Sequence, residues 1–267
     1  MEKYLTEDLG VPSNRIQLLV GSEEHASLDD PMCPSRAHIV GVLLSLIANP
    51  EISYDDNIII YYSGHGSYYP PHADEDSETD YMETLSPIDR DALGEDGKHV
   101  PDISDREFNT ILSLISRAKG RRITVILDCC HAAGVCRNLP EPGARTAPPM
   151  KRATLHDMLL AGENVLKNYP GYRSILAKDW LPDVTSHVVL AACEDYQYAK
   201  AKKMKREDGT VTGYIGVFTD SLVRALRSGH WRKETTYVDL LHCLDTMPTQ
   251  TPVVAGDRKC ARLWYQD

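Results

Sequence analysis

The stretch Arg122-Ile-Thr-Val-Ile-Leu-Asp-Cys-Cys-His-Ala-Ala-Gly134 decides the fold of this 267-residue chain. Its apolar part, Ile123 to Leu127, is short, β-branched and apolar on both alternating faces, which is typical of a central strand in a sheet covered on both sides. In open α/β sheets, ligands bind at the carboxyl ends of the strands, because the loops fan apart there. The residues that follow this strand are reactive ones: Asp128, Cys129, Cys130 and His131.

A second stretch repeats this pattern upstream. Asn57-Ile-Ile-Ile-Tyr-Tyr-Ser-Gly-His-Gly-Ser67 is again an apolar run, and it ends in a glycine-rich turn that carries His65. Neighbouring parallel strands lie about 5 Å apart, so residues that follow two such strands come within side-chain reach. We therefore expect His65 and Cys130 to lie close together at one edge of the sheet.

The rest of the chain alternates between strands and helices, which predicts an α/β fold with a mainly parallel central sheet. The sequence Ser104-Asp-Arg-Glu107 indicates a capping box at a helix start. The long acidic segment from Tyr68 to Val100 is predicted to be a loop with a small hairpin, and Arg137 to Lys151, which holds four prolines, to be a linker. Further predicted strands cover Arg15 to Val20, His187 to Cys193 and Ala261 to Tyr265; further predicted helices cover Glu2 to Leu9, Pro34 to Asn49, Leu155 to Leu166, Val217 to Leu226 and Tyr237 to Leu244.

Composition narrows the classes of function. A formal net charge of −10 argues against a general nucleic-acid surface. No stretch reaches the roughly 18 consecutive apolar residues of a membrane span, and the first residues are too polar for a signal peptide. The seven cysteines are odd in number and scattered, so we read them as reduced thiols. These features predict a protein of the cytoplasm, with the nucleus as an alternative location, and no nucleic-acid or membrane partner. We also expect a monomer.

The candidate reactive groups match what a cysteine peptidase needs, namely a thiol, a nearby imidazole and backbone N–H donors for the developing oxyanion. Cys130 and His65 supply the first two. The alternative interpretation is that Cys130 is a small buried apolar residue and that His65 is merely solvated. A zinc site is also conceivable, although adjacent ligands fit it poorly; its ligands would be Cys129, Cys130, His131 and Cys136.

Two motifs resemble those of the metacaspases and related caspase-like peptidases of clan CD, peptidase family C14. They are Tyr61-Tyr-Ser-Gly-His-Gly66 and Asp128-Cys-Cys-His131, and further similar segments follow in order at Glu83 to Asp89, His187 to Cys193, Gly216 to Thr219 and Gln250 to Pro252. The resemblance is closer to fungal metacaspases than to animal caspases. It implies a caspase-like α/β/α sandwich in one domain over residues 1–267: a large-subunit-like part (1–136), a linker or insertion (137–186) and a small-subunit-like part (187–267). It also implies proteolysis linked to programmed cell death.

The resemblance implies a role for each matched residue. Cys130 would be the nucleophile, His65 the base or acid, and the backbone N–H groups of Gly66 and Cys130 the oxyanion hole. Asp128 would form an acidic S1 pocket with Ser63 nearby, so that protein or peptide substrates are cleaved after Arg or Lys. The physics agrees, because a carboxylate in a partly dry pocket favours a cationic side chain. The structural alternative for Asp128 is a cap on the following turn.

Some metacaspases require calcium, although the cysteine chemistry itself needs no cofactor. Asp89, Asp102 and Asp105 lie in the segments that correspond to the acidic calcium ligands, whereas Asn138 replaces an acid common in relatives. Hard cations want several carboxylate oxygens. The aspartates serve equally well as residues that stabilise a helix start.

The chain also departs from the family pattern. Relatives carry an apolar first strand and a helix containing G-C-x-N-D before the segment that corresponds to Tyr4 to Val11, and neither is found here. We therefore expect a sheet that lacks this strand and has unpaired strand edges. Ala132 and Ala133 replace the usual Ser-Gly. Two alternative functions follow: an inactive or truncated caspase-like scaffold, and a thiol redox protein using Cys129 and Cys130, which lacks the usual CxxC loop.

Self-cleavage is the last expectation. Flexible, exposed and basic segments are the preferred sites of proteolytic nicking. The candidate positions are Arg145, Lys151 and Arg152 in the linker, and the segment from Lys200 to Arg206, which is predicted to be a solvated loop.

Overall fold

The structure, a computed structural model, describes residues 1–69, 82–94, 96–130, 143–194, 197–205, 210–229 and 234–265. Helices and strands alternate along most of this length, as the sequence predicted. In chain order they are α1 (Arg36–Ala48), β1 (Ile58–Ser63), β2 (Gly66–Tyr69), β3 (Met82–Leu85), β4 (Ile103–Ser104), α2 (Asp105–Lys119), β5 (Ile123–Asp128), α3 (Leu155–Leu166), β6 (Val188–Ala191), β7 (Ala201–Lys205), β8 (Val211–Gly216), α4 (Val217–Arg227), α5 (Tyr237–His242) and β9 (Val253–Ala255).

The central sheet has four strands in the order β1-β5-β6-β9. β5 pairs in parallel with β1 on one side and with β6 on the other, whereas β9 pairs antiparallel with β6. The predicted α/β class with a mainly parallel central sheet is therefore confirmed. Because β5 and β6 are neighbours, the parts of the chain before and after residues 137–186 share one sheet. Within the described residues, β1 has no strand on its outer side.

Both faces of the sheet are covered, as the apolar pattern of Ile123 to Leu127 predicted. All six residues of β5 are buried. Val125 points to a core built with α1, α2 and α3, while Ile126 points to a second core built with α4 and α5. Successive side chains of a strand point to opposite faces of the sheet, so this single apolar run contributes to both cores. The carboxyl end of β5, which carries the reactive residues, thus lies between two packed layers.

Two smaller sheets flank the site edge. β2, β3 and β4 form an antiparallel sheet, in which Gly66 lies opposite Leu85. This pairing confirms the small hairpin that was predicted within the acidic loop. β7 and β8 form a separate antiparallel hairpin. The prediction of a solvated loop at Lys200 to Arg206 was therefore wrong over residues 201–205, and Arg206 lies outside the described residues.

Two predicted strands were also wrong. Arg15 closes a 3₁₀ turn, and the extended residues that follow up to Val20 pair with no strand of the described chain, so they form no ladder. At the other end, the last strand is β9, and Leu263–Tyr265 forms a 3₁₀ turn instead. Trp264 has a positive φ of 54°, which a strand does not accommodate.

The predicted cap of α2 is only half of a capping box. The Ser104 hydroxyl accepts a hydrogen bond from the backbone N–H of Glu107 at 3.1 Å. The Glu107 carboxylate, however, is buried and accepts from the Arg36 guanidinium of α1 at 2.6 and 2.7 Å. A buried carboxylate needs a charged partner more than a helix start needs a second cap.

Within the described residues, we find no helix of the length and apolarity that a membrane crossing demands.

Candidate active site

The register of β1 and β5 brings the two predicted catalytic residues to one place. Ser63, the last residue of β1, lies opposite Asp128, the last residue of β5. His65 and Cys130 each follow by two positions. Gly66 lies so close to Cys130 that a Cβ atom at this position would overlap the Cys130 carbonyl oxygen. Only glycine allows this close approach of two backbones.

The carbonyl oxygen of Arg145 lies between the two strand ends. It accepts hydrogen bonds from the backbone N–H of Gly66 at 3.1 Å and of Cys130 at 3.3 Å. These are the two donors that the family resemblance implies for the oxyanion hole. The linker therefore presents a peptide carbonyl to both N–H groups, as an acyl substrate would.

The side chain of Arg145 occupies the predicted S1 pocket. Its guanidinium Nη1 donates to the Ser63 hydroxyl and to the Asp128 carbonyl oxygen, both at 2.7 Å. The same nitrogen lies 3.3 Å from the Asp128 carboxylate, which is fully buried. A cationic side chain is thus held by the two residues that were predicted to select Arg or Lys.

The backbone around Arg145 is extended and pairs on both sides. The Arg145 N–H donates to the Ala199 carbonyl at 2.9 Å, and the Ala201 N–H donates to the Gly143 carbonyl at 2.9 Å. On the other side, the Ala147 N–H donates to the Gly66 carbonyl at 2.8 Å. Residues 143–147 therefore lie in the cleft as an added strand, which is a common mode of peptide binding.

The Cys130 thiol is covered in this arrangement. It is buried, and its Sγ donates to the Ala199 carbonyl at 3.4 Å. Burial raises the pKa of the Cys130 thiol to about 11, because it outweighs the opposing effects of the Ala199 and Arg145 backbone and of the Arg145 charge. The thiol is therefore protonated near neutral pH, and a protonated thiol is a weak nucleophile.

His65 faces the peptide group that follows Thr146. The side chain is exposed, and its Nδ1 lies 3.2 Å from the carbonyl oxygen of Thr146. The oxyanion donors and the imidazole therefore meet neighbouring peptide groups of the same linker segment. His65 and Cys130 converge on Arg145 and Thr146, as the paired strand ends predicted.

Two residues that the sequence reasoning missed orient Asp128. The Asp128 Oδ2 accepts hydrogen bonds from the Thr219 hydroxyl and from the Thr219 backbone N–H, the latter at 3.2 Å. The Tyr61 hydroxyl bonds the Thr219 hydroxyl at 2.8 Å. Asp128 thereby caps the first turn of α4, whose own N-cap residue, Gly216, has no side chain. The segment Gly216 to Thr219 had been noticed as a family match, but nothing in it indicated this contact.

The three aspartates proposed as calcium ligands do not converge. Asp102 is fully buried, and both of its oxygens bind the Arg90 guanidinium, at 2.8 and 2.6 Å. Asp89 accepts from the backbone N–H of Arg36 at the start of α1, at 2.8 Å, and Asp105 is exposed at the start of α2. Nowhere in the described ranges do three His, Cys, Asp or Glu side chains gather as metal ligands. In this arrangement the residues do not fit a calcium ion, and calcium dependence stays a prediction.

The remaining candidates are not part of this cluster. Lys151 and Arg152 are exposed, outside the contacts of Arg145 described above. Cys129 is fully buried, and burial raises its pKa well above the usual range of a thiol, so it is unsuited to redox exchange. His131 and Cys136 of the zinc alternative, together with Ala132, Ala133 and Asn138, lie outside the described residues.

Comparison with known sequences identifies relatives. The profile of the metacaspase, peptidase C14 domain matches residues 1–140. Metacaspase-4 of Arabidopsis thaliana is 27% identical over 135 residues, which are 51% of this chain and 28% of that protein. Metacaspase-8 of the same plant is 28% identical over 143 residues, 53% of this chain and 32% of that protein. Metacaspase-3 of Trypanosoma cruzi is 30% identical over 102 residues, 38% of this chain and 25% of that protein. The chain thus matches about a third of the length of these relatives, or less.

Comparison of structures supports the fold. A crystal structure of a Geobacter sulfurreducens protein superposes with a TM-score of 0.52, covering 83% of this chain and 72% of the other. The two sequences are 19% identical, so this similarity concerns the fold alone.

Proposed function

This chain belongs to the metacaspase family, and on that basis we propose that it is a cysteine endopeptidase that cleaves polypeptides after Arg or Lys. Cys130 is the nucleophile of this proposal, and His65 is the base and acid. Asp128 and Ser63 select the cationic residue before the cleaved bond.

One observation carries the proposal. Arg145 is bound as a substrate residue would be, with its carbonyl oxygen on the Gly66 and Cys130 N–H groups and its guanidinium on Ser63 and Asp128. A single residue engages the predicted oxyanion hole and the predicted S1 pocket together. An arginine with a purely structural role would need neither two N–H donors on its carbonyl oxygen nor an extended backbone.

The geometry supports an ordinary acyl-transfer mechanism. His65 accepts the Cys130 proton, and the thiolate forms a bond to the carbonyl carbon of the residue in S1. The carbonyl oxygen becomes an oxyanion facing the two N–H groups. His65 then protonates the leaving amine as the peptide bond breaks, and water, deprotonated by His65, hydrolyses the thioester. The products are a carboxylate, a free amine and the regenerated thiol.

The same proposal makes the linker the first substrate. We expect self-cleavage between Arg145 and Thr146, because this peptide already lies at the catalytic residues. Before cleavage the linker blocks the cleft, and burial keeps the pKa of the Cys130 thiol high, so the intact chain is latent. Lys151 and Arg152, which are exposed, are secondary cleavage candidates.

The test is hydrolysis of a short fluorogenic peptide amide with Arg before the reporter group, with and without calcium. We expect turnover that disappears in Cys130→Ala and persists in Cys243→Ala, a matched substitution of an exposed cysteine. Intact mass should show fragments 1–145 and 146–267 in wild type and in Cys243→Ala, but not in Cys130→Ala. The absence of Cys130-dependent turnover, and of self-cleavage, contradicts the proposal.

The second candidate is an inactive caspase-like scaffold, which the covered thiol of Cys130 favours. It predicts a cooperative melt and no labelling of Cys130 by an Arg chloromethyl ketone under any condition. We also propose calcium as an activator, and a role in programmed cell death for a monomeric protein of the cytoplasm or nucleus. The calcium arm of the same assay tests the first of these.

A further inference from the structure

The linker is held well beyond the residue that occupies S1. Following the scissile peptide, the Thr146 carbonyl meets His65, the Ala147 N–H donates to Gly66, the Pro148 carbonyl accepts from Arg90 at 3.1 Å, and the Met150 N–H donates to the Tyr69 hydroxyl at 3.2 Å. All four contacts are made by backbone atoms of the linker. The segment therefore lies along the start and end of β2 in an extended form.

We call the surface formed by Gly66, Tyr69 and Arg90 beside the linker the groove. The Arg90 side chain is its most rigidly held part. Its Nε and Nη2 bind both oxygens of Asp102, at 2.8 and 2.6 Å, and Nη2 also reaches Pro148. A bidentate pair with a fully buried carboxylate fixes the plane of the guanidinium. The N–H that points to the linker is thus aimed before any peptide arrives, which lowers the entropic cost of binding.

Tyr69 continues the same network. Its hydroxyl donates to Asp102 at 2.9 Å, which leaves an oxygen lone pair to accept the Met150 N–H. Burial, followed by the charge of Asp102, raises the pKa of Tyr69, so the phenol stays protonated and keeps this donor role. The ring of Tyr69 packs with Met82 and Met158, and the Met150 side chain contacts that apolar cluster.

The prolines of the linker suit this groove. Pro148 and Pro149 have no N–H, so neither leaves a backbone donor unpaired between the partners of Ala147 and Met150. Their fixed φ also favours an extended chain. The groove therefore matches a peptide with backbone donors at the second and fifth positions after the cleaved bond and prolines between them.

We infer that Arg90, held by Asp102 and Tyr69, is a positioning residue that sets the register of peptides on the carboxyl-terminal side of the cleaved bond. This inference rests on the proposed peptidase function and specifies its substrates further. They are extended segments that present a carbonyl, best from proline, at the third position after the cleaved Arg. In the intact chain, residues 146–150 fill this groove, and Arg90 places the Arg145 peptide, not its neighbours, at Cys130.

The first test needs no activity. In the Cys130→Ala chain, hydrogen exchange reports the Ala147 and Met150 amides. Arg90→Gln combined with Asp102→Asn removes the charged pair together, so no buried carboxylate is left unpaired. We expect exchange of both amides to accelerate at least about tenfold, as for the loss of one charge-assisted hydrogen bond. Arg106→Gln is the matched control, because Arg106 also clamps backbone carbonyls, those of Ile175 and Ala177, away from the cleft.

A second variant guards against misfolding. Tyr69→Phe keeps the buried ring and removes the hydroxyl that accepts from the Met150 amide and donates to Asp102. Because Arg90 still binds both oxygens of Asp102, we expect exchange to accelerate at Met150 alone. Unchanged exchange at Ala147 and Met150 in a folded double variant overturns the inference, whatever the enzyme does.

The third measurement uses the active Cys130 chain. We expect the double variant to cut itself about tenfold more slowly after Arg145 and to gain cuts after Lys151 or Arg152. Its turnover of a short substrate that ends at the reporter group should rise, because the competing linker is bound less tightly. A folding defect would lower that turnover instead. If wild type cleaves short substrates but the variant keeps its cleavage site and rate, Arg90 has no positioning role while the peptidase function stands.

Discussion

Two buried aspartates in this molecule each bind an arginine, and the two pairs differ in how completely they do so. Asp102 receives Arg90 through both oxygens and the Tyr69 hydroxyl through one of them. Asp128 meets the Arg145 guanidinium at 3.3 Å through one oxygen, while its other oxygen is bonded by Thr219. Both carboxylates are fully buried.

The difference indicates that Arg145 can dissociate from its carboxylate, whereas Arg90 stays bound. A bidentate, saturated pair holds its geometry and is costly to break, whereas a longer contact through one oxygen leaves the carboxylate anchored when the guanidinium departs. Arg90 lies in a turn between β3 and β4, and Arg145 lies in the linker. We interpret Asp102 as a structural anchor and Asp128 as a binding residue whose cation is exchangeable.

The largest expected effect breaks the saturated pair. Asp102→Ala leaves the Arg90 guanidinium half-buried without its partner, and we expect the free energy of unfolding to fall by about 3–5 kcal/mol. Urea denaturation of the Cys130→Ala chain measures this without self-cleavage. Asp105→Ala is the matched control, because Asp105 is exposed in the same segment; its cost should stay within about 1 kcal/mol. Equal costs for the two variants would contradict the anchor role.

The next effect concerns the exchangeable pair. Asp128→Asn keeps an acceptor for Thr219 but removes the charge that faces S1. We expect kcat/KM for a short Arg substrate to fall about 100-fold, equivalent to about 2.7 kcal/mol. The midpoint of urea denaturation should change little, since the fold does not need Arg145 in place. A loss of stability as large as that of Asp102→Ala would show that both pairs are structural.

Much of this arrangement could be predicted from the sequence. Ile123 to Leu127 has the apolar pattern of a doubly covered strand, and its pairing with the strand before His65 follows from the similar run at Ile58 to Tyr62. Strand-end chemistry depends on local pattern and on a sheet register that hydrophobicity sets. The paired ends of β1 and β5 were therefore accessible without a structure.

The contacts of the linker were not accessible in the same way. Residues 143–147 have no strand-like alternation, and they acquire an extended form only by pairing with Gly66 and with residues near Ala199. Arg145 was one of several exposed basic candidates by sequence, because nothing local distinguishes it from Lys151. Likewise, Asp102 seemed an equal partner of Asp105 until burial and Arg90 separated them. Long-range partners decide these roles, and local pattern carries no information about them.

The third prediction concerns the thiol that the exchangeable pair covers. Burial raises the pKa of Cys130 to about 11 while the linker is bound, and burial is the largest of its causes. Arg145→Ala weakens the linker contact, and it also removes a cation that lowers this pKa. Because burial is the larger cause, we expect the pKa to move down towards the usual value of about 8.5. The rate of iodoacetamide labelling should therefore rise at lower pH in the variant than in the intact wild-type chain. The exposed Cys243, followed in the same samples by mass spectrometry, should keep one profile in both.

The sign of the pH effect is fixed. The thiolate reacts and the thiol does not, so a raised pKa suppresses labelling below about pH 11 and a lowered pKa restores it. Identical profiles for Cys130 in the two chains would mean that the linker does not cover this thiol. The Arg145 contact with Asp128 would then have no part in latency.

The smallest expected effect comes from removing the Thr219 hydroxyl, which orients the Asp128 carboxylate. Thr219→Val removes the hydroxyl that bonds Asp128 and Tyr61, but it keeps the Thr219 backbone N–H and the size of the side chain. We expect kcat/KM for an Arg substrate to fall about tenfold, mainly through KM, because the carboxylate keeps its charge and loses part of its orientation. Thr212→Val, which alters an exposed hydroxyl on β8, should leave both constants unchanged. A fall in kcat alone would indicate that Thr219 acts on the chemistry at Cys130 and not on the Asp128 carboxylate. The contact between Thr219 and Asp128 would then not explain how Asp128 differs from Asp102.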